Sequence, residues 1–203
     1  MKRLFIIGCS GHGKVVADIA LKTKKYDGIY FLDDAPQSDV CMGISVEGNS
    51  DYQYFKEDDE VIVAIGNSEV RQRLQEKFEA KGLTIATLIH PSAVVGADVQ
   101  IAKGTVVMAG AVINPSVHIG KGVIINTCSS VDHDNIIGDY SHISVGAHLA
   151  GTVSIGKHTW IGAGAVISNN ISITDNVMIG AGGVAVKNIE QSGTYVGVPV
   201  RKI

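Results

Sequence analysis

From Ile89 to Ala185 an aliphatic residue returns at every sixth position without a slip. The run passes through Val95, Ile101, Val107, Ile113, Ile119, Ile125, Val131, Ile137, Ile143, Leu149, Ile155, Ile161, Ile167, Ile173 and Ile179. Four residues after each comes a mostly small or β-branched partner, as at Ala93, Val99, Thr105, Ala111, Val117 and Val123. A fixed short period of this kind marks a parallel β-helix. Each unit of six is one short strand plus a corner, and three units close a triangular coil of 18 residues. The aliphatics fill the interior. Gly96, Gly120, Gly138, Gly156, Gly162 and Gly180 follow their aliphatics directly and read as corners that other residues would strain.

Composition agrees with a glycine-punctuated solenoid: 203 residues, 45% hydrophobic, 24 of them glycine. A net charge of −3 gives no electrostatic case for nucleic acid or an anionic membrane. Cys9, Cys41 and Cys128 form no spaced set, which argues against a disulfide framework or a zinc ribbon. The apolar run after Lys2-Arg3 is Leu4–Ile7, too short for a signal core of about 7–15 residues. It reads as a buried strand. No later stretch is long enough to span a bilayer, and a cytoplasmic protein is expected.

Residues 1–88 follow a different pattern. Leu4–Ile7, Ile29–Leu32, Val61–Ile65 and Thr84–Leu88 read as strands, with helices over Lys14–Thr23 and Glu69–Ala80 between them. Tyr52, Tyr54 and Phe55 are expected to pack a short helix in the acidic stretch after Asp33-Asp34. Strands alternating with helices imply an α/β domain with a small, Rossmann-like parallel sheet. His90-Pro91 leads into the solenoid, which runs over 89–185, and 186–203 forms a tail.

Gly8-Cys9-Ser10-Gly11-His12-Gly13 stands between the first strand and the first helix. Such a turn aims backbone N–H groups and a helix N-terminus at an anion, usually a phosphate. A P-loop is excluded, because the position that needs Ser or Thr for magnesium is Val15. The dinucleotide order G-x-G-x-x-G is also absent; the chain has G-x-x-G-x-G. One βαβ half binds one nucleotide, so the reading is a nucleotide-sugar site. Gly11 and Gly13 lie near the pyrophosphate, with Asp33 or Asp34 near the nucleoside. A tight turn with no ligand is the alternative.

In the solenoid, chemistry must come from residues pointing outward. His133 lies two residues past the inward Val131, between Asp132 and Asp134. A carboxylate beside an imidazole fixes its tautomer and stabilises the imidazolium, which suits a general base. Stacking by 18 puts Gly151 above His133, leaving room for a slender ligand arm. Ser129, Asn135 and Ser141 make the inner small-residue phase polar around this patch. A three-histidine zinc site as in γ-type carbonic anhydrases needs a His-x4-His pair; none is present, and no metal is expected.

The sequence resembles the bacterial sugar-nucleotide acetyltransferases of the left-handed β-helix superfamily. That group includes UDP-4-amino-sugar N-acetyltransferases of the UDP-N-acetylbacillosamine type and sialic acid O-acetyltransferase relatives. The resemblance is carried by Gly8–Gly13, Phe31-Leu32-Asp33-Asp34, Ala64-Ile65-Gly66-Asn67 with Arg71, Asp132-His133-Asp134, Ile137–Ile143 and Gly197-Val198-Pro199. It implies a left-handed coil and a homotrimer with acetyl-CoA between adjacent β-helices. It implies His133 as general base, oriented by Asp134, with Asp132 as a rival because the family often has Glu where this chain has Asp134. His142 is expected by the acetyl thioester, with coenzyme contacts at Gly151, Ala163 and Ala181. The nucleotide sugar is expected at Gly8, Ser10, Gly11, His12, Gly13, Asp33, Asp34, Asn67 and Arg71, with UDP ahead of GDP. The implied reaction is acetylation of a 4-amino group on that sugar. Sialic acid O-acetylation and a non-catalytic nucleotide-sugar-binding trimer are the alternatives.

Overall fold

A computed structural model describes residues 2–203; Met1, where the first expected domain begins, lies outside them. The chain forms two compact units, Met1–Pro91 and Ser92–Ile203. No helix among the described residues is long and apolar enough to cross a membrane.

The first unit is built on β1 (Arg3–Ile7), β2 (Gly28–Leu32), β5 (Glu60–Val63) and β6 (Thr84–Ile85), ordered β2-β1-β5-β6 and all parallel. Two helices, α1 (Gly11–Thr23) and α2 (Ser68–Ala80), make the crossovers. Leu4, Phe5, Ile6, Phe31, Leu32, Val61 and Ile62 are wholly buried, as strands covered on both faces require. The chain leaves β1 toward β2 on one side and β5 on the other. The strand order reverses between β1 and β5, so the switch point where open α/β sheets bind ligands lies at the carboxyl ends of those two strands, beside the loop that follows β1.

Two expectations for this unit need correction. The first helix begins at Gly11, so Gly11, His12 and Gly13 belong to its first turn and only Gly8–Ser10 form the loop. The acidic stretch holds no helix. It carries instead a small hairpin of β3 (Val40–Cys41) and β4 (Ile44–Ser45) and an irregular segment that lays Tyr52 and Phe55 against Phe5, at ring-centroid distances of 5.2 and 5.1 Å. Asn49 turns the chain there, accepting the Asp51 N–H at 2.9 Å on its side chain and the Tyr52 N–H at 3.1 Å on its carbonyl. Local Asx chemistry plus aromatic packing outweighs helix periodicity here.

The second unit is a parallel β-helix whose coils keep a register of 18 through Ala185; the last coil pairs at 16, as Ile179 with Tyr195. Val112 lies on Ser130 and Ser130 on His148; Ile136 lies on Ser154; His142 lies on Trp160. Three ladders, built of two-residue strands until the longer strands of the last coil, make the three faces. The aliphatic series and its small-residue partners form one continuous buried column, from Val107 to Ile189.

The corners are made differently from the sequence reading. Fifteen residues at intervals of six, from Asp98 (φ 61°) to Gly182 (φ 66°), adopt the left-handed region, and nine of them are not glycine. The glycines that directly follow the aliphatics are not among these residues. They are small because the next coil passes close by: a Cβ at Gly138 would sit 2.6 Å from the Lys157 nitrogen and 2.7 Å from the Gly156 carbonyl carbon.

Buried polar side chains tie successive coils together. Thr105 Oγ1 donates to the Gly120 carbonyl at 2.8 Å and accepts the Val123 N–H at 3.1 Å. Ser141 repeats this with Gly156 and Thr159, and Thr159 with Thr174 and Val177. Each hydroxyl satisfies one corner carbonyl and one amide that the aliphatic core could not. Replacing Thr105 by Val keeps the shape and removes both bonds. We expect Thr105→Val to lose about 1–3 kcal/mol, the cost of orphaned buried backbone groups, seen as a lower midpoint in thermal unfolding.

Candidate active site

His133 occupies the corner between the strands Ser130–Val131 and Ile136–Ile137, with its side chain more than half exposed. Val131 and Ile137 point inward, which leaves the intervening corner to project into solvent. Asp134 takes a left-handed conformation (φ 58°), one that a short polar side chain tolerates. That turn folds its carboxylate back onto the ring: His133 Nδ1 lies 2.7 Å from Asp134 Oδ2. Asp132 does something else. Its Oδ1 accepts the His133 N–H at 2.8 Å and the side-chain amide of Asn114, one coil below, at 2.7 Å. Of the two flanking acids, Asp134 is the one that meets the imidazole.

With Nδ1–H donated to Asp134, Nε2 is left as the basic nitrogen. The ring lies over Gly151, where a Cβ would fall 2.5 Å from Nε2 and 2.6 Å from Cε1. The space left by the missing side chain is therefore occupied by the imidazole itself, not kept open for a ligand arm. The hydrogen bond to Asp134, opposed by partial desolvation and aided by the Asp132 and Asp134 charges, raises the pKa of His133 above its ordinary value. Asp132 is held below the ordinary carboxylate range by the Asn114 amide and the His133 N–H.

The other expected coenzyme residues lie elsewhere on the solenoid. His142 is on the face opposite the His133 corner, with Nε2 3.0 Å from Asn126 Nδ2 and its ring stacked on Trp160 at 5.0 Å. Ala163 and Ala181 are exposed at a second corner, one directly below the other. Only Gly151 shares a column with His133. One chain does not bring all four to the His133 corner. Among the described residues, no three His, Cys, Asp or Glu side chains gather as metal ligands would.

In the first unit a pocket of about 570 Å³ opens at the carboxyl ends of β1 and β2. Cys9, Ser10, Gly11, Lys14 and Asp33 line one side; Ala35, Gln37, Ser38, Val40, Cys41 and Met42 line the other. Ser10 precedes the helix without capping it by its side chain, so the start of α1 faces the pocket with no side-chain acceptor on its amides. Asp33 accepts the Cys9 and Ala35 N–H groups at 2.8 and 2.9 Å. Desolvation and the Asp33 carboxylate push the Cys9 thiol up to about 11, keeping it neutral.

The remaining expected residues sit outside the pocket wall. Gly13 is glycine because a Cβ would strike the Gly8 carbonyl, which makes it a helix–strand packing residue. His12 is largely buried, and desolvation with the nearby Arg71 lowers its pKa to about 4. Asp34 accepts the Ser50 N–H at 2.8 Å, Asn67 caps α2 through the Val70 N–H at 3.0 Å, and buried Arg71 donates to the Ile65 and Gly66 carbonyls. The sequence reading missed Asn114, the hairpin wall and Lys14 as a pocket cation. Subtracting 18 from Asp132 finds Asn114; nothing in the sequence places the hairpin.

Residues 3–78 match the family model of the PglD N-terminal domain. A stretch of 120 residues is 34% identical to UDP-N-acetylbacillosamine N-acetyltransferase of Bacillus subtilis (strain 168), covering 54% of this chain and 52% of that one. The chain thus spans about half the length of this curated relative. Over 99% of both chains, the structure superposes on the acetyltransferase domain of PglB from Neisseria gonorrhoeae FA1090, with a TM-score of 0.96 and 38% identity. The chain belongs to the hexapeptide-repeat sugar acetyltransferases. A second member, PerB from Caulobacter crescentus in complex with CoA and GDP-perosamine, is 33% identical over 98% of this chain and 96% of its own, with a TM-score of 0.91. The solenoid is the left-handed β-helix of this acetyltransferase family.

The His133–Asp134 pair yields a titration prediction. The carboxylate stabilises the imidazolium, so the ring keeps its proton to higher pH than a free histidine with its pKa of about 6.5. NMR of the His133 ring is expected to place its midpoint above that value, and Asp134→Asn to bring it back down.

Proposed function

We propose that this chain transfers the acetyl group of acetyl-CoA to the 4-amino group of a nucleotide-linked amino sugar, with His133 as general base. The observation that carries the reading is the exposed His133–Asp134 pair at 2.7 Å, with Nε2 left basic. In this mechanism the amine nitrogen attacks the thioester carbonyl carbon while Nε2 takes its proton. The C–S bond then breaks, and the imidazolium returns the proton to the departing thiolate. A backbone N–H at Gly151 stabilises the oxyanion between these steps. Asp134 holds the tautomer and the imidazolium throughout.

The nucleotide belongs in the pocket of the first unit. Lys14 and the N-terminus of α1 favour its phosphates, and the hairpin wall meets the nucleoside. Crystals of family members with acetyl coenzyme A, and with CoA and GDP-perosamine, support both co-substrates. UDP remains ahead of GDP in our reading, following the Bacillus subtilis relative.

His142, Ala163 and Ala181 face away from the His133 corner of their own coil. A coenzyme that meets these residues and His133 together has to lie between two copies, which supports a closed homotrimer as the active form.

Thiol release from acetyl-CoA with a panel of UDP- and GDP-linked 4-amino sugars tests the reading. We expect rapid release with at least one sugar, and a fall of at least ~10²-fold in His133→Ala with little change in nucleotide-sugar affinity. No release with any amine, or a wild-type rate in the variant, would remove the acetyltransferase or its base respectively.

A further inference from the structure

Asn135 stands at the inner phase of the repeat where other coils place a hydroxyl, and it is wholly buried. Its hydrogen bonds differ from theirs in one respect. Thr105, Ser141 and Thr159 each reach up to a corner carbonyl of the next coil. Ser129 reaches back to the carbonyl three residues earlier, that of Asn126, at 2.8 Å. A hydroxyl has one proton, so it serves one of these acceptors well. The amide of Asn135 has two and serves both: Nδ2 donates to the Asp132 carbonyl at 2.6 Å and to the Ala150 carbonyl at 3.0 Å. Oδ1 accepts the Val153 N–H at 2.5 Å. Two carbonyls on one side and an amide on the other fix which end is nitrogen.

The two carbonyls belong to the peptide units that lead into His133 and into Gly151. The Asp132–His133 unit is held at both ends, since its N–H also donates to Asp132 Oδ1. In the Ala150–Gly151 unit, fixing the carbonyl fixes the direction of the Gly151 N–H, because the peptide is planar. We infer that Asn135 is a positioning residue for acetyl transfer: one buried amide aligns the backbone under the base and the backbone that presents the oxyanion donor. The inference rests on the reading of His133 as base.

Threonine separates this role from a structural one. By analogy with Thr105 and Thr159, Asn135→Thr keeps the bonds to Ala150 and Val153 and gives up the bond to Asp132. Asn135→Ser makes the same two bonds and is the second variant if the threonine methyl does not fit. The experiment compares wild type, both variants and His133→Ala in thermal melting, in kcat and KM for the nucleotide sugar and acetyl-CoA, and in the pH–rate profile. We expect a variant that stays folded with a melting midpoint lowered by the lost donor to the Asp132 carbonyl and, below that transition, unchanged KM values and kcat lower by about tenfold or more, as loss of alignment alone can produce. The midpoint of the pH–rate profile is expected to fall, because a ring released from its fixed peptide spends less time on Asp134. A folded variant with wild-type kcat and midpoint, beside an inactive His133→Ala, overturns the positioning role and leaves the base intact. Full activity in both overturns the base and with it this inference.

Discussion

The structure depends on one constraint: from Val94 to Ala185 the strand residues of the solenoid stack at intervals of 18, each lying directly beneath its later partner. Backbone hydrogen bonds between coils enforce that spacing. Asp134 N–H donates to the Pro115 carbonyl, Thr152 N–H to His133 and Asn170 N–H to Gly151. The aliphatic column supplies the driving force for burial, and the ladders supply the register. Once the register holds, chemistry far apart in sequence becomes adjacent. Asn114 steadies Asp132, and Gly151, lacking a side chain, leaves room for the imidazole of His133.

That constraint also explains which features could be read in advance. The period of six gave the faces, the core column and the outward aim of His133, because all of these follow from counting. It gave the neighbours of His133 for the same reason. The polar inner positions were visible as Ser129, Asn135 and Ser141 but had no meaning without knowing which backbone groups the corners leave unpaired. The cause of the corner glycines does not follow from the period. Left-handed φ falls at the Asp134 phase, not at Gly138, and a sequence does not distinguish a glycine needed for its backbone from one needed for a neighbour's approach.

The first unit was less legible. Its strands and helices follow from ordinary patterning, and the glycine turn follows from their junction. The pocket's second wall does not, since Val40–Ser45 is a hairpin of two-residue strands with weak alternation. Several polar residues singled out by sequence turn out to be engaged in the fold. Asn67 is a helix cap, Arg71 a buttress of two carbonyls, and Asp34 an anchor for Ser50. Polar residues beside a glycine turn serve the turn as readily as they serve a ligand, and only coordinates separate the two uses.

If stacking places the base, the most direct test is at the position above it. Gly151 has ordinary backbone angles, so alanine strains nothing locally, yet its Cβ would displace the His133 ring. The measurement is thiol release by Gly151→Ala, alongside its thermal melt. The account predicts a protein that melts with the wild type and turns over ~10²-fold more slowly, the scale of general-base help. A wild-type rate would contradict it, because His133 would then act without the position that the coil register gives it.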